Sequence, residues 1–231
     1  TAQSSGSTVY LYGIWAADAT HAWAVGQSGT LLKWDGATWT AAAGAPAIYY
    51  YGIWGLDANN VWAAGENGAV AKWDGTTWTK QSTGASSALH DISGLDANNI
   101  WAVGSFGTIV RWNGTSWTSQ KSASSSDIYS VWPADANNVW AVGTGGAIQK
   151  WNGTAWVMQN SGTGVDLFGI SGKDASNIWA VGENGTILKW DGAAWMRQAS
   201  GTTRRLRSVW ALATNNIWAA GSFGTILHKS Q

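Results

Sequence analysis

The chain holds 231 residues with 13 basic and 13 acidic side chains, a formal net charge of zero and a pI of about 6.8, so it has no electrostatic footprint for nucleic acid or an anionic membrane. Charged residues make up only 11% of it and cysteine is absent, which excludes a disulfide framework, a thiolate metal site and a cysteine nucleophile, and leaves the compartment open. No apolar run approaches the ~20 residues that a transmembrane helix needs, so no membrane insertion is expected. The opening TAQSSGSTVY has neither the basic nor the apolar region of a secretory leader. The expectation is a mature extracellular or cell-surface chain, with the cytoplasm as the alternative.

In chain order, residues 1–6 (TAQSSG) align with TKQSTG at 79–84 and read as the last strand of a repeat. The Trp of a WAxG tetrapeptide then falls at Trp23, Trp62, Trp101, Trp140, Trp179 and Trp218, always 39 residues apart. A second Trp follows eleven residues later in five copies, from Trp34 to Trp190. A third stands five beyond that, from Trp39 to Trp195, and a fourth lies eight before the anchor at Trp15, Trp54, Trp132 and Trp210. These four positions account for all 20 tryptophans.

The second copy shows what one unit contains. Residues 50–56 (YYGIWGL) are apolar and β-prone, and DANN at 57–60 follows as a turn, because Asp and Asn bond their own backbone. A short strand at 61–65 leads to ENG at 66–68, a tight hairpin whose Gly takes positive φ. A third strand at 69–73, the DGTT turn at 74–77 and a fourth strand at 78–82 complete the unit. Helix is excluded, since no stretch keeps a 3.6-residue apolar period over ten positions and Gly recurs throughout.

Four short antiparallel strands per 39 residues are the content of one propeller blade. The expected fold is therefore an all-β six-bladed propeller forming a single domain over 1–231. Six full units would take 234 residues, and GTILHKSQ ends the sixth copy before its DG turn. The N-terminal segment is accordingly expected to supply the strand that closes the last blade and removes a free sheet edge.

The pattern WAVGxxGTILKWDGxxW resembles the Trp-rich repeats of tectonin- and tachylectin-type propellers, and WDGTTW at 73–78 is similar to a shortened Asp-box turn of sialidase-like propellers. The likeness spans nearly the whole chain. It implies a propeller and, because many tectonin-type propellers are lectins, repeated carbohydrate sites. The Asp-box turn is structural in its family, and the sialidase catalytic arginines, tyrosine nucleophile and acidic partners have no counterparts at matched positions here.

The repeated tryptophans fit a scaffold: Trp34 and Trp39 flank a four-residue turn and can face each other across a hairpin. Stacking of exposed Trp faces on sugar rings is the alternative, and repetition alone does not separate the two. Differences between copies say more. In an up-and-down blade the first and third turns share one side, where the DANN-like and WDG or WNG turns are nearly uniform. The other side varies: its tips are Gln27 and Ser28, Glu66 and Asn67, Ser105 and Phe106, Thr144 and Gly145, Glu183 and Asn184, Ser222 and Phe223. Copies two and five match there, as do three and six, which points to duplication of a three-blade ancestor. The innermost strands begin on this side with Tyr12, Tyr51, His90, Tyr129, Phe168 and Arg207.

The candidate ligand-binding residues are thus Glu66, Asn67, Phe106, Glu183, Asn184, Phe223, Tyr12, Tyr51, Tyr129 and Arg207. Neutral variation of exposed turns, and packing between blades for the tyrosines, is the plain reading of the same positions. His21, His90 and His228 occupy three different repeat positions, so no metal site is expected. DANN begins like a calcium loop but lacks its later ligands. The Arg204, Arg205 and Arg207 run can meet an acidic group or simply be solvated. A hydrolase site drawing on Asp91, Glu66 and Glu183 has no pair assignable from sequence. The expected function is non-catalytic and cofactor-free, a lectin-like propeller binding glycans or a glycoprotein surface through weak repeated sites. The alternative is a protein-interaction or structural module.

Overall fold

The second copy folds as its pattern dictates, with small shifts at the strand ends. In the computed structural model, which describes residues 3–42, 44 and 46–230, its strands are Tyr50–Asp57, Asn60–Gly65, Val70–Trp73 and Trp78–Gln81, hydrogen-bonded in that order. The turn expected over 57–60 is shorter, because Asp57 and Asn60 pair across the ladder and leave Ala58 and Asn59 to reverse the chain. Asp57 makes this possible. Its Oδ1 accepts the Asn59 backbone N–H at 2.8 Å and the Asn60 side-chain amide at 3.0 Å. The arrangement recurs at Asp96, Asp135 and Asp174.

The hairpin tip also differs in detail. Glu66–Gly68 forms one 3-10 turn in which both Asn67 (φ 56°) and Gly68 (φ 66°) are left-handed, where the sequence suggested the glycine alone. Gly68 is required twice over: its φ disfavours any side chain, and a Cβ there would run into the Ala85 carbonyl.

The same plan repeats through an all-β six-bladed propeller of five four-stranded sheets and a last sheet of three, Leu206–Ala213, Asn216–Gly221 and Ile226–Ser230. The fourth strand expected there from the N-terminal segment corresponds, by the alignment with 79–84, to residues 1–3, and Thr1 and Ala2 lie outside the described residues; residues 3–10 form no strand. The Ser5 hydroxyl accepts the Ser7 N–H at 3.2 Å and the Ser7 hydroxyl accepts the Val9 N–H at 3.4 Å, the same local bonds that Ser161 and Thr163 make in the connection after the fourth strand of blade four.

The blades group into two compact units, one built from blades one to three and one from blades four to six together with the Ser105–Gly107 turn. In each, the core lies between blades. In the first unit Trp23, Val25 and Leu31 of blade one pack with Ile53, Trp73 and Trp78 of blade two. In the second, the Trp140 ring lies 4.9 Å from Trp190 and 5.5 Å from Trp195, the latter edge-on. Cross-strand pairs such as Trp34 with Trp39 (5.5 Å) meet as expected, each contributing ~0.5–1.5 kcal/mol beyond its buried area. Lys72 and Lys150 lie over Trp62 and Trp140, both at 5.1 Å, so the outer rims of the anchors are covered by alkyl stems and ammonium groups.

Candidate functional site

The two sides of the blades are bonded differently. On the uniform side the turns are locally saturated. Asp74 Oδ1 accepts the backbone N–H groups of Thr76 and Thr77 at 2.9 Å and the Thr76 hydroxyl at 2.7 Å. These bonds, led by that from Thr77, hold its carboxyl down at about 2. Asp18 is likewise held at about 2, chiefly by the Thr20 hydroxyl and then its backbone N–H. Asp35, Asp174 and Asp191 are lowered by the same kind of contact. A carboxylate already engaged by its own turn has little capacity left for a ligand.

On the varied side of the first unit, Tyr12, Tyr51 and His90 form a ladder of rings with centroids 5.5 and 5.8 Å apart. Gln27 Nε2 donates to the Tyr12 hydroxyl at 2.9 Å. Glu66 is turned inward: its carboxylate accepts the Tyr49 N–H at 3.2 Å and lies 3.5 Å from the Tyr51 hydroxyl. Burial, and then the Glu66 charge, raises the Tyr51 phenol above its ordinary value. Asn67 sits exposed at the left-handed tip.

The second unit has a charged version of the same tier. Tyr129 and Phe168 lie 5.3 Å apart, and the Arg205 and Arg207 guanidinium groups stand over the Phe168 ring at 5.1 and 5.9 Å. Arg205 also pairs with Glu183 at 2.5 Å, and the Tyr129 hydroxyl accepts from Thr144 at 3.1 Å. Asn184 is exposed, like Asn67. The structure therefore gathers Tyr12 and Tyr51 with Glu66 in one unit, and Tyr129, Arg207 and Glu183 in the other. Most of these side chains already serve a neighbour.

Phe106 and Phe223 are different. Both occupy the left-handed tip position, at φ 56° and 58°, with 78% and 86% of their surface exposed. A bulky side chain at positive φ is a true backbone outlier, worth ~1–2 kcal/mol of strain. Here that strain presents an apolar ring to solvent. Beside Phe223 lies a depression of about 540 Å³ lined by Glu183, Thr203, Arg204, Arg205 and Ser222, with the Arg204 guanidinium 4.5 Å from the ring.

Two contributors escaped the sequence reading. Asp127 Oδ1 accepts the Phe106 N–H, and Asp166 Oδ1 the Gly145 N–H, both at 2.8 Å, fixing those tips from the following connection. Their repeat position reads Tyr10, Tyr49, Ala88, Asp127, Asp166 and Arg205, a variation as informative as that of the tips. The acidic side chains weighed for a hydrolase are engaged one by one: Asp91 with the Ile92 N–H at 2.8 Å, Glu66 with Tyr49, Glu183 with Arg205. Twelve of the twenty tryptophans are buried, and Trp210 and Trp218 of the last blade are the exposed ones, so the repeated indole faces are mainly core. Among the described residues no helix is long and apolar enough to cross a membrane.

No protein-family model matches the chain and no curated protein matches it in sequence. Solved structures do match its fold. YCF48 bound to D1 peptide superposes with a TM-score of 0.77 at 20% identity, over 97% of this chain and 78% of that one. YCF48 from Cyanidioschyzon merolae gives 0.71 at 18%, over 96% and 95%. The WD40 propeller domain of Doa1 gives 0.81 at 13%, over 97% and 80%. At such identities the likeness concerns architecture: the chain is a six-bladed β-propeller with WD40-like structural neighbours.

Proposed function

We propose that the chain is a non-catalytic, protein-binding propeller that takes an extended, acidic peptide segment at the depression beside Phe223 and Arg204. The observation that carries this reading is the Phe223 ring, held exposed on a left-handed backbone that favours Asn or Gly. An exposed aromatic flanked by guanidinium groups suits a partner with an apolar side chain next to a carboxylate. One structural neighbour, YCF48, is bound to a peptide, which favours a peptide over a sugar as the partner. Carbohydrate binding, the finer expectation from the lectin resemblance, has less support, because the repeated tryptophans that motivated it are mostly buried.

Parallel screens decide between the two. The protein is panned against a displayed library of random twelve-residue peptides and probed on a multivalent glycan array. The peptide reading expects enrichment of acidic, apolar peptides whose binding falls when Phe223 is replaced by Asn. Saturable glycan binding that is untouched by that substitution would favour the lectin.

A further inference from the structure

The depression beside Phe223 has a neighbour. A second one, of about 580 Å³, is lined by Asn184, Gly185, Arg197, Gln198, Ser200 and Thr203. The connection that follows Trp195–Gln198 contributes to both, and the two depressions share Thr203.

The walls of the second depression are fixed by local bonds. The Ser200 hydroxyl donates to the Thr202 carbonyl at 3.0 Å and accepts the Thr202 N–H at 3.3 Å, and the Thr202 hydroxyl accepts the Arg204 N–H at 3.0 Å. Gly185, left-handed at φ 64°, brings the tip of blade five so close to this connection that a Cβ would run into the Thr202 carbonyl. A groove already formed in the free protein loses little entropy when an extended chain enters it.

Charge is divided between the two depressions. Glu183 holds Arg205, which leaves Arg204 as the guanidinium beside Phe223 that has no carboxylate partner among the described residues. In the second depression that place is taken by Arg197, which is exposed and likewise has no ion pair among the described residues. The corresponding positions in the other fourth strands are Ala41, Lys80, Ser119 and Met158, so a guanidinium stands there in blade five alone, one groove-width from Arg204. Two exposed guanidinium groups in adjoining depressions favour a ligand that carries two carboxylates.

We infer, resting on the peptide reading of the Phe223 depression, that the second depression is a further acidic subsite of the same groove. A segment anchored at Phe223 and Arg204 continues past Thr203 and sets a second carboxylate on Arg197. Depressions of this size that share a residue have centres on the order of 10 Å apart, which extended chain covers in about three residues. The partner is therefore an extended polypeptide with two acidic residues about two to four positions apart.

The test is a double-mutant cycle across the contact. Peptides enriched on the full wild-type chain are aligned, and one is titrated with each acidic residue in turn replaced by its amide, against wild type, Arg197→Gln and Phe223→Asn. The expected result is that Arg197→Gln weakens the parent peptide about three- to tenfold, and less in high salt, yet causes no further loss for the peptide that lacks one particular acidic residue. Phe223→Asn should weaken all of these peptides. Equal binding by Arg197→Gln and wild type, or enriched peptides that share a single acidic position, would overturn the second subsite while a loss in Phe223→Asn left the Phe223 contact standing. A wild-type chain that enriches no peptide would overturn both.

Discussion

The uniform and varied sides of the blades are made from the same hairpins, yet they spend their polar groups in opposite ways. At Asp57, Asp74 and their counterparts the carboxylate is consumed by its own turn, so these positions hold the backbone and have little left over. At the opposite tips the left-handed residue is Asn in blades two and five but Phe in blades three and six, with its ring in solvent. Identical geometry with a less suitable residue is what the proposed peptide contact at these tips rests on.

That contrast predicts a separation of effects, largest on stability in the interior. Trp140→Ala removes a ring with 0% exposure that packs on Trp190 and Trp195, and should cost ~3–5 kcal/mol in denaturant unfolding. Next in size is the loss of peptide binding in Phe223→Asn, by about 2 kcal/mol or roughly thirtyfold in Kd by titration, with cooperative unfolding kept.

Acid should act on the uniform side. Asp18 and Asp74 are held at about 2 in the folded chain, below the ordinary aspartate value of 3.8, so their stabilisation is fully present above 3.8 and is lost as pH falls through about 2. The thermal midpoint should therefore hold steady down to pH 4 and drop below it. Asp74→Ala should lower the midpoint at neutral pH and reduce the acid-dependent drop. The smallest effect is a gain: Phe106→Asn relieves a left-handed Phe and should raise stability by up to ~1 kcal/mol, measured by urea unfolding.

Much of the scaffold was legible in the residues because each blade repeats it. The 39-residue spacing of Trp23 to Trp218, the Asx turns and the facing of Trp34 and Trp39 all follow from local rules, and repetition averages out local ambiguity. TAQSSG matches TKQSTG in bonding as well as in pattern, since the Ser5 hydroxyl accepts the Ser7 N–H as the Thr83 hydroxyl accepts the Ala85 N–H, while Thr1 and Ala2, at the strand positions, lie outside the described residues. The site was half legible. Variation between copies singled out Phe106 and Phe223 together with Glu66 and Glu183; the two rings stand exposed, while the two carboxylates are tied to Tyr49 and Arg205. Burial and pairing, which decide whether a polar group is available, come from contacts between copies rather than from any one copy.

The most direct test titrates one enriched acidic peptide against the wild-type chain and the Phe106→Asn/Phe223→Asn double variant, with urea unfolding of both proteins. The expected result is at least tenfold weaker binding by a variant that is no less stable than the wild type. Unchanged binding, or weaker binding that tracks a loss of stability, would contradict the assignment of function to the varied tips.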